Sequence, residues 1–102
     1  MSVIKRLMLD VLKAHIPNVV EFAHALAGSA ADAEVSIRVL EMDDKTESLE
    51  VIIEGRDLDF DAITATINAL GASVHSVDHV VVVSDSGENG YDADDYDEDR
   101  QR

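Results

Sequence analysis

The chain predicts an α+β fold of the ferredoxin-like type, a βαββαβ sandwich in which two helices cover one face of a four-stranded antiparallel sheet. Three observations carry this prediction: the order of apolar patterns along residues 2–84, two helical stretches with capping and stop signals, and a polar hairpin connection. The handedness of the two crossovers gives the sheet order 4-1-3-2. A chain of 102 residues supports one modest core, which we assign to residues 1–84.

The first strand and the first helix occupy residues 2–28. Residues 2–12 are apolar at both alternating sets of positions, which predicts a central strand with both of its faces covered. Pro17 and Asn18 are typical of a helix start, and the Gly28-Ser29-Ala30 segment of a helix end. Between them, apolar residues recur at three- and four-residue spacing, as in one face of a helix: Val19, Phe22, Ala23 and Leu26.

A strand pair follows, with alternating apolar residues over 35–42 and 48–54 on either side of the polar connection 43–47. We expect Gly55 to stop the second of these strands. Asp59 then caps a helix that Gly71 ends, and the valine-rich segment 73–84 forms the last strand. The apolar stripe of this second helix consists of Phe60, Ile63, Ile67 and Leu70.

Composition excludes several classes of function. The chain has no cysteine, which removes disulfide frameworks, thiolate metal sites and cysteine nucleophiles. A formal net charge of −14 argues against a nucleic-acid partner, because phosphate binding needs basic patches. No apolar run is long enough to span a membrane, so we expect a cytoplasmic protein. Segment 85–102 is acidic and poor in apolar residues, which predicts a disordered tail.

The acidity is not confined to the tail, because residues before it also carry many more carboxylates than lysines and arginines. We interpret this as adaptation to high intracellular salt, where dense carboxylates keep a surface hydrated and their repulsion is screened. The alternative is an acidic protein of ordinary salt conditions with an interaction tail.

Three phrases of the sequence are similar to those of an archaeal family known as domain of unknown function 211. They are LDVLK at 9–13 with His15 and Pro17, DLDFD at 57–61, and HSVD at 75–78. The resemblance covers roughly residues 4–83 and implies the same fold, an archaeal source of haloarchaeal type, and assembly into a homo-oligomer. It implies no activity, since the family has none assigned.

The HSVD phrase supplies the first candidate metal site. Imidazole nitrogen and carboxylate oxygen suit zinc or manganese, so His75 and Asp78, joined by Asp10 of the first strand, are candidate ligands. On a regular strand, His75 and His79 share one face and Asp78 points to the other, so convergence needs a bulge or a second subunit. The alternative, which we favour, is an edge strand whose polar residues prevent unwanted pairing.

The DLDFD phrase supplies a second candidate. Asp57, Asp59 and Asp61 match the opening of a calcium loop, but Ala62 and Asn68 stand where such a loop needs glycine and a bidentate glutamate. Carboxylates at a helix start also complement its dipole and its unpaired amides. We therefore favour helix capping by Asp59 over calcium binding.

The remaining candidates are Lys13 and His15, which lie between the first strand and the first helix, where a ligand could bind. No nucleophile or oriented partner accompanies them, and the chain lacks the aromatic platform, C-x-x-C pair and phosphate loop of known ferredoxin-like functions. The open sheet face is expected to present an apolar centre suited to self-association. Its members are Ile4, Met8, Leu12, Leu40 and Ile52.

The resulting prediction is a non-enzymatic homo-oligomeric module that binds a divalent cation (Ca²⁺, Mn²⁺ or Zn²⁺) or a small ligand at subunit contacts. The alternative is an enzyme that assembles its site across an interface from Asp10, His15, His75 and Asp78. Convergent side chains in a closed pocket favour the enzyme, and dispersed ones favour the module.

Overall fold

A computed structural model describes residues 2–84. Its elements are β1 (Ser2–Ala14), α1 (Val19–Gly28), β2 (Glu34–Met42), β3 (Thr46–Leu58), α2 (Phe60–Ala69) and β4 (Ala72–Ser84). The sheet is antiparallel with the order β2-β3-β1-β4, which is the predicted 4-1-3-2 read from the other edge. The ferredoxin-like prediction is confirmed, and the tail predicted at 85–102 lies outside the described residues.

The core lies between the sheet and the two helices. The side chains of β1 and β3 point alternately to the two faces of the sheet, and one set is buried against the helices. We call this face the helix side of the sheet. Phe22 and Leu26 from α1 and Ile63 and Ile67 from α2 pack on that side, as the predicted stripes require. The buried sheet residues are Leu7, Leu9, Val11, Leu49, Val51, Ile53, Leu58 and Ala72.

Both helices begin at the predicted caps. The Asn18 side chain accepts a hydrogen bond from the Glu21 amide at 2.9 Å, and the Glu21 carboxylate accepts one from the Asn18 amide. This reciprocal pair is a capping box, which fixes the start of α1 next to the end of β1. Asp59 caps α2 by accepting from the Ala62 amide at 3.1 Å.

The prediction that Gly55 ends its strand is wrong, because β3 continues to Leu58. The pairing passes from Arg6↔Glu54 to Ile4↔Leu58, so one residue of β1, Lys5, lies opposite three of β3, residues 55–57. A Cβ at Gly55 would lie 2.7 Å from Leu58 Cδ2. Gly55 therefore lets the strand bend so that the Leu58 side chain reaches the core.

The predicted place of Ile4 on the open face is also wrong. Between Ile4↔Val82 and Arg6↔Val81, β1 has one residue more than β4, so Lys5 is a bulged residue. The bulge breaks the alternation, and Ile4 packs against the core on the helix side. Met8, Leu12 and Ile52 remain on the open face.

β4 is an edge strand with two bulges of its own. Adjacent residues Asp10 and Val11 of β1 pair with Ser76 and Val74, which leaves His75 as an extra residue. In the same way, adjacent Met8 and Leu9 pair with His79 and Val77, which leaves Asp78 as an extra residue. As a result, side chains return to the same side of β4 every three residues rather than every two.

The helix layer is much shorter than the sheet it covers. Each helix has 10 residues, so it is about 15 Å long, whereas β1, β3 and β4 have 13 residues and span about 43 Å. Parts of the helix side therefore remain uncovered at the ends of the sheet. Within residues 2–84, no helix is long and apolar enough to cross a membrane.

Candidate functional site

A charged cluster lies where β1 ends and the β2–β3 hairpin turns. Alternation along β1 places Lys13 on the helix side after Leu7, Leu9 and Val11, and its side chain is only 1% exposed. Glu47 is directly opposite Lys13 in the register of β1 and β3. The side chains of directly opposed residues lie on the same face of a sheet, so the two charges are buried together.

Protein atoms surround the Lys13 ammonium. Nζ donates hydrogen bonds to the backbone oxygens of Ala14 at 2.7 Å and Pro17 at 2.5 Å, and lies 2.9 Å from Glu47 Oε1. The contact between this oxygen and the ammonium is a buried ion pair. The ammonium therefore holds the β1–α1 loop against the start of β3 rather than pointing into open space.

His15 extends the cluster to the hairpin turn. Its Nδ1 lies 3.0 Å from Glu47 Oε2, and its Nε2 lies 2.9 Å from the backbone oxygen of Asp43 and 3.0 Å from that of Asp44. Carboxylate and carbonyl oxygens only accept hydrogen bonds, so the doubly protonated imidazolium satisfies both sides at once. The side chain of His15 remains partly exposed at 36%.

Each partner stabilises the charged form of the other. The Glu47 carboxylate, followed by the backbone oxygen of Asp43, raises the pKa of His15 above 6.5. The His15 imidazole, followed by the Lys13 ammonium, holds the pKa of the Glu47 carboxyl below 4.5. The cluster therefore carries two positive charges and one negative charge near pH 6, and its three side chains join β1, the β1–α1 loop and the hairpin.

Lys13 and His15 were predicted as ligand-binding residues, and the structure brings them together around Glu47. Sequence reasoning missed Glu47 because it assigned that residue to the polar hairpin connection. A turn limited to residues 43–45 starts β3 at Thr46 and so includes Glu47 in the strand, whereas its position opposite Lys13 is set by the long-range pairing of β3 with β1. The Asp43 amide, which donates to the Thr46 backbone oxygen at 2.8 Å, closes this shorter turn.

The candidate metal ligands are dispersed within one copy of the chain. The Asp78 carboxylate accepts a hydrogen bond from the Ser76 hydroxyl at 2.7 Å. Asp10 lies between Glu50 of β3 and Ser76 of β4 in the register of the sheet. His75 is exposed at its bulge on β4. In residues 2–84, no group of three or more histidine, aspartate or glutamate side chains is placed to hold a metal ion.

His79 and the DLDFD aspartates have other contacts. Arg6 links β3 to β4 on the open face, since its Nε donates to Glu54 at 2.9 Å and its Nη1 lies 3.4 Å from His79 Nδ1. Asp59 is the cap of α2, as favoured from the sequence. Asp57 and Asp61 are exposed on either side of it.

Large apolar side chains are exposed on the helix side at two corners of the sheet. Along β4, Val77, Val80 and Val82 lie opposite Leu9, Leu7 and Ile4, and these three valines are 45–51% exposed. We call them the valine ridge. At the diagonally opposite corner, Val39 and Met42 lie opposite Leu49 and Glu47 and are 40% and 60% exposed, and we call these two the hairpin corner. Ile16 in the β1–α1 loop and Val20 on α1 are also exposed.

Two comparisons place these features in a wider set of proteins. Residues 5–89 match the model of the family described as uncharacterized ArCR, domain of unknown function 211. The chain is also 43% identical over 81 residues to the uncharacterized protein MJ0319 of Methanocaldococcus jannaschii, which covers 79% of this chain and 84% of that protein.

Proposed function

The chain belongs to the domain of unknown function 211 family, and from that membership and its exposed sheet edges we propose that it is a non-enzymatic module that assembles with copies of itself. The valine ridge is the observation that carries this proposal. It lies on a 13-residue edge strand, and the segment from Val80 to Val83 contains no charge and no proline. A long apolar edge with free backbone groups is a site where another strand pairs.

The arrangement of the polar residues supports a module rather than an enzyme. Lys13 and His15 contact protein atoms through their charged groups, and Asp10, His75 and Asp78 do not gather around one point within residues 2–84. Side chains dispersed in this way favour a module over an enzyme. A self-assembling module uses its buried charges to hold its loops and its apolar edges to bind neighbours.

We expect the wild-type chain to elute as an oligomer, and Val80→Asp with Val82→Asp to convert it to the 11.1 kDa monomer. Two carboxylates on the ridge remain unpaired in an apolar contact, which opposes association strongly. The measurement is light scattering after size exclusion in about molar KCl, where surface repulsion is screened. Ala65→Asp, on the exposed side of α2, is the matched control and keeps the wild-type mass. A monomeric wild-type chain contradicts the proposal.

We include a divalent-ion site at the subunit contact in this proposal. His75 and Asp78 are the bulged residues of the edge strand, so an adjoining copy lies next to them and can supply the missing ligand. Titration calorimetry of the wild-type oligomer with Zn²⁺ or Mn²⁺ is expected to show binding that His75→Ala with Asp78→Ala removes. His24→Ala, on the exposed side of α1, is the control. Binding that persists in the double variant contradicts this assignment.

A further inference from the structure

We propose that His15 is a proton-operated clasp on the hairpin turn, residues 43–45. Its imidazolium holds the turn against the β1–α1 loop, and its neutral ring releases the turn while the rest of the fold stays in place. This inference concerns a conformational change within one copy of the chain, so it goes beyond the proposed self-association and does not rest on it.

The ring of His15 lies between two groups that only accept hydrogen bonds. On one side is the Glu47 carboxylate of β3, 3.0 Å from Nδ1. On the other side are the backbone oxygens of Asp43 and Asp44, 2.9 and 3.0 Å from Nε2, and all three residues of the turn are exposed. The charge on β1 is the Lys13 ammonium, which contacts the other oxygen of Glu47.

A neutral ring keeps only one N–H, and burial decides which nitrogen carries it. The Glu47 side chain is 7% exposed, so a lone pair on Nδ1 leaves a buried carboxylate oxygen without its donor. Hydrogen bonds to a charged acceptor are also about twice as strong as those between neutral groups. The carbonyls of the turn belong to exposed residues, so water replaces a donor lost there. The proton therefore leaves Nε2, and the contact that fails is the one with the turn.

The released turn can move as a unit. The Asp43 amide donates to the Thr46 backbone oxygen at 2.8 Å, and this closure does not involve the ring. On the other side of the turn, Leu40 is an extra residue in the pairing of β2 with β3, which makes it a bulge where a strand bends. Because β2 is an edge strand, it has no second neighbour to oppose this bend. We therefore place the hinge at Leu40.

The other supports of the β1–α1 loop do not depend on the proton at Nε2. The Lys13 ammonium still holds the backbone oxygens of Ala14 and Pro17. The neutral ring still donates from Nδ1 to Glu47, and the capping box still fixes the start of α1. Loss of the clasp therefore frees the turn and the adjoining Met42 of the hairpin corner, but not the loop or the helix.

The direction of the change with pH follows from the same contacts. The Glu47 carboxylate, followed by the backbone oxygen of Asp43, raises the pKa of His15 above 6.5. The clasp is therefore closed in mildly acidic solution and opens as the pH rises through this raised value.

Nuclear magnetic resonance of the isotope-labelled wild-type chain at pH 5 and pH 9 tests both parts of the proposal. The imidazole nitrogen shifts are expected to show both nitrogens of His15 protonated at pH 5 and only Nδ1 protonated at pH 9. Amide relaxation is expected to give residues 43–45 order parameters near 0.85, about those of a rigid backbone, at pH 5 and below about 0.6 at pH 9. Circular dichroism is expected to be the same at both values, because the opening is local.

His15→Gln separates the imidazole proton from other effects of pH. Glutamine does not titrate in this range, so the turn of this variant is expected to have the same order parameters at pH 5 and pH 9. His15→Ala replaces it if it does not fold, and His24→Ala, on the exposed side of α1, is the control that keeps the wild-type response. A neutral His15 ring protonated at Nε2, a wild-type turn equally ordered at both values, or a response that persists without His15 overturns the inference.

Discussion

Replacing Lys13 with methionine is expected to lower the free energy of unfolding by about 3 kcal/mol, the lower end of the range for breaking a buried ion pair. Methionine fills a similar volume, so the loss comes from the charge. The Glu47 carboxylate then remains buried with one oxygen that has no partner. His15 still faces the other oxygen, which is why we expect the lower end of the range. Equilibrium urea unfolding measures the change.

A second substitution separates the ion pair from simple loss of packing. Lys13→Met combined with Glu47→Leu removes both buried charges, so most of the lost stability is expected to return. His15 is partly exposed and can then donate to water instead of Glu47. Lys45→Met, on the exposed hairpin turn, is the control and is expected to change stability by less than about 0.5 kcal/mol. A double variant no more stable than Lys13→Met alone contradicts this account.

The cluster shows which parts of a site a single sequence can predict. The apolar alternation of β1 is local, and it predicts that Leu7, Leu9 and Val11 share one face, where all three are buried. Its continuation to Lys13 was not recognised, because a lysine on a buried face is reasonable only when a counter-charge is known. That counter-charge, Glu47, is 34 positions along the chain, and its position opposite Lys13 is set by the pairing of β3 with β1, which is a long-range property of the sheet.

β4 shows a second reason why side-chain positions could not be predicted from the sequence. Residues 73–80 consist of the groups Ser-Val-His, Ser-Val-Asp and His-Val. In each group the first residue faces the open side and the valine faces the helix side. The third residue of the two complete groups is the bulged one. A repeat of three residues is not detected when the side chains of a strand are assumed to alternate strictly between its two faces. The bulges are defined by the pairing with β1, which is a long-range property of the sheet. The edge position of this strand, in contrast, followed from the topology alone.

The contribution of His15 to stability is expected to disappear as the pH rises above neutrality. The pKa of His15 is raised in the folded protein, so its contribution is complete below pH 6.5 and is lost as the pH rises through the folded value. The pKa of Glu47 is lowered, so its contribution is complete above pH 4.5 and is lost as the pH falls through the folded value. The cluster therefore stabilises the fold most between about pH 4.5 and pH 6.5.

The physical reason is that a neutral imidazole has one N–H for two sets of acceptors. If the proton stays on Nε2, the lone pair of Nδ1 faces the Glu47 carboxylate, and if it stays on Nδ1, the lone pair of Nε2 faces the backbone oxygens of Asp43 and Asp44. Either tautomer loosens the β1–α1 loop from one of its two supports. Urea unfolding of the wild type and His15→Ala from pH 5 to pH 9 is expected to show a difference that shrinks above pH 6.5. His24→Ala is the control, and a His15 difference that stays constant over this range contradicts the charged bridge.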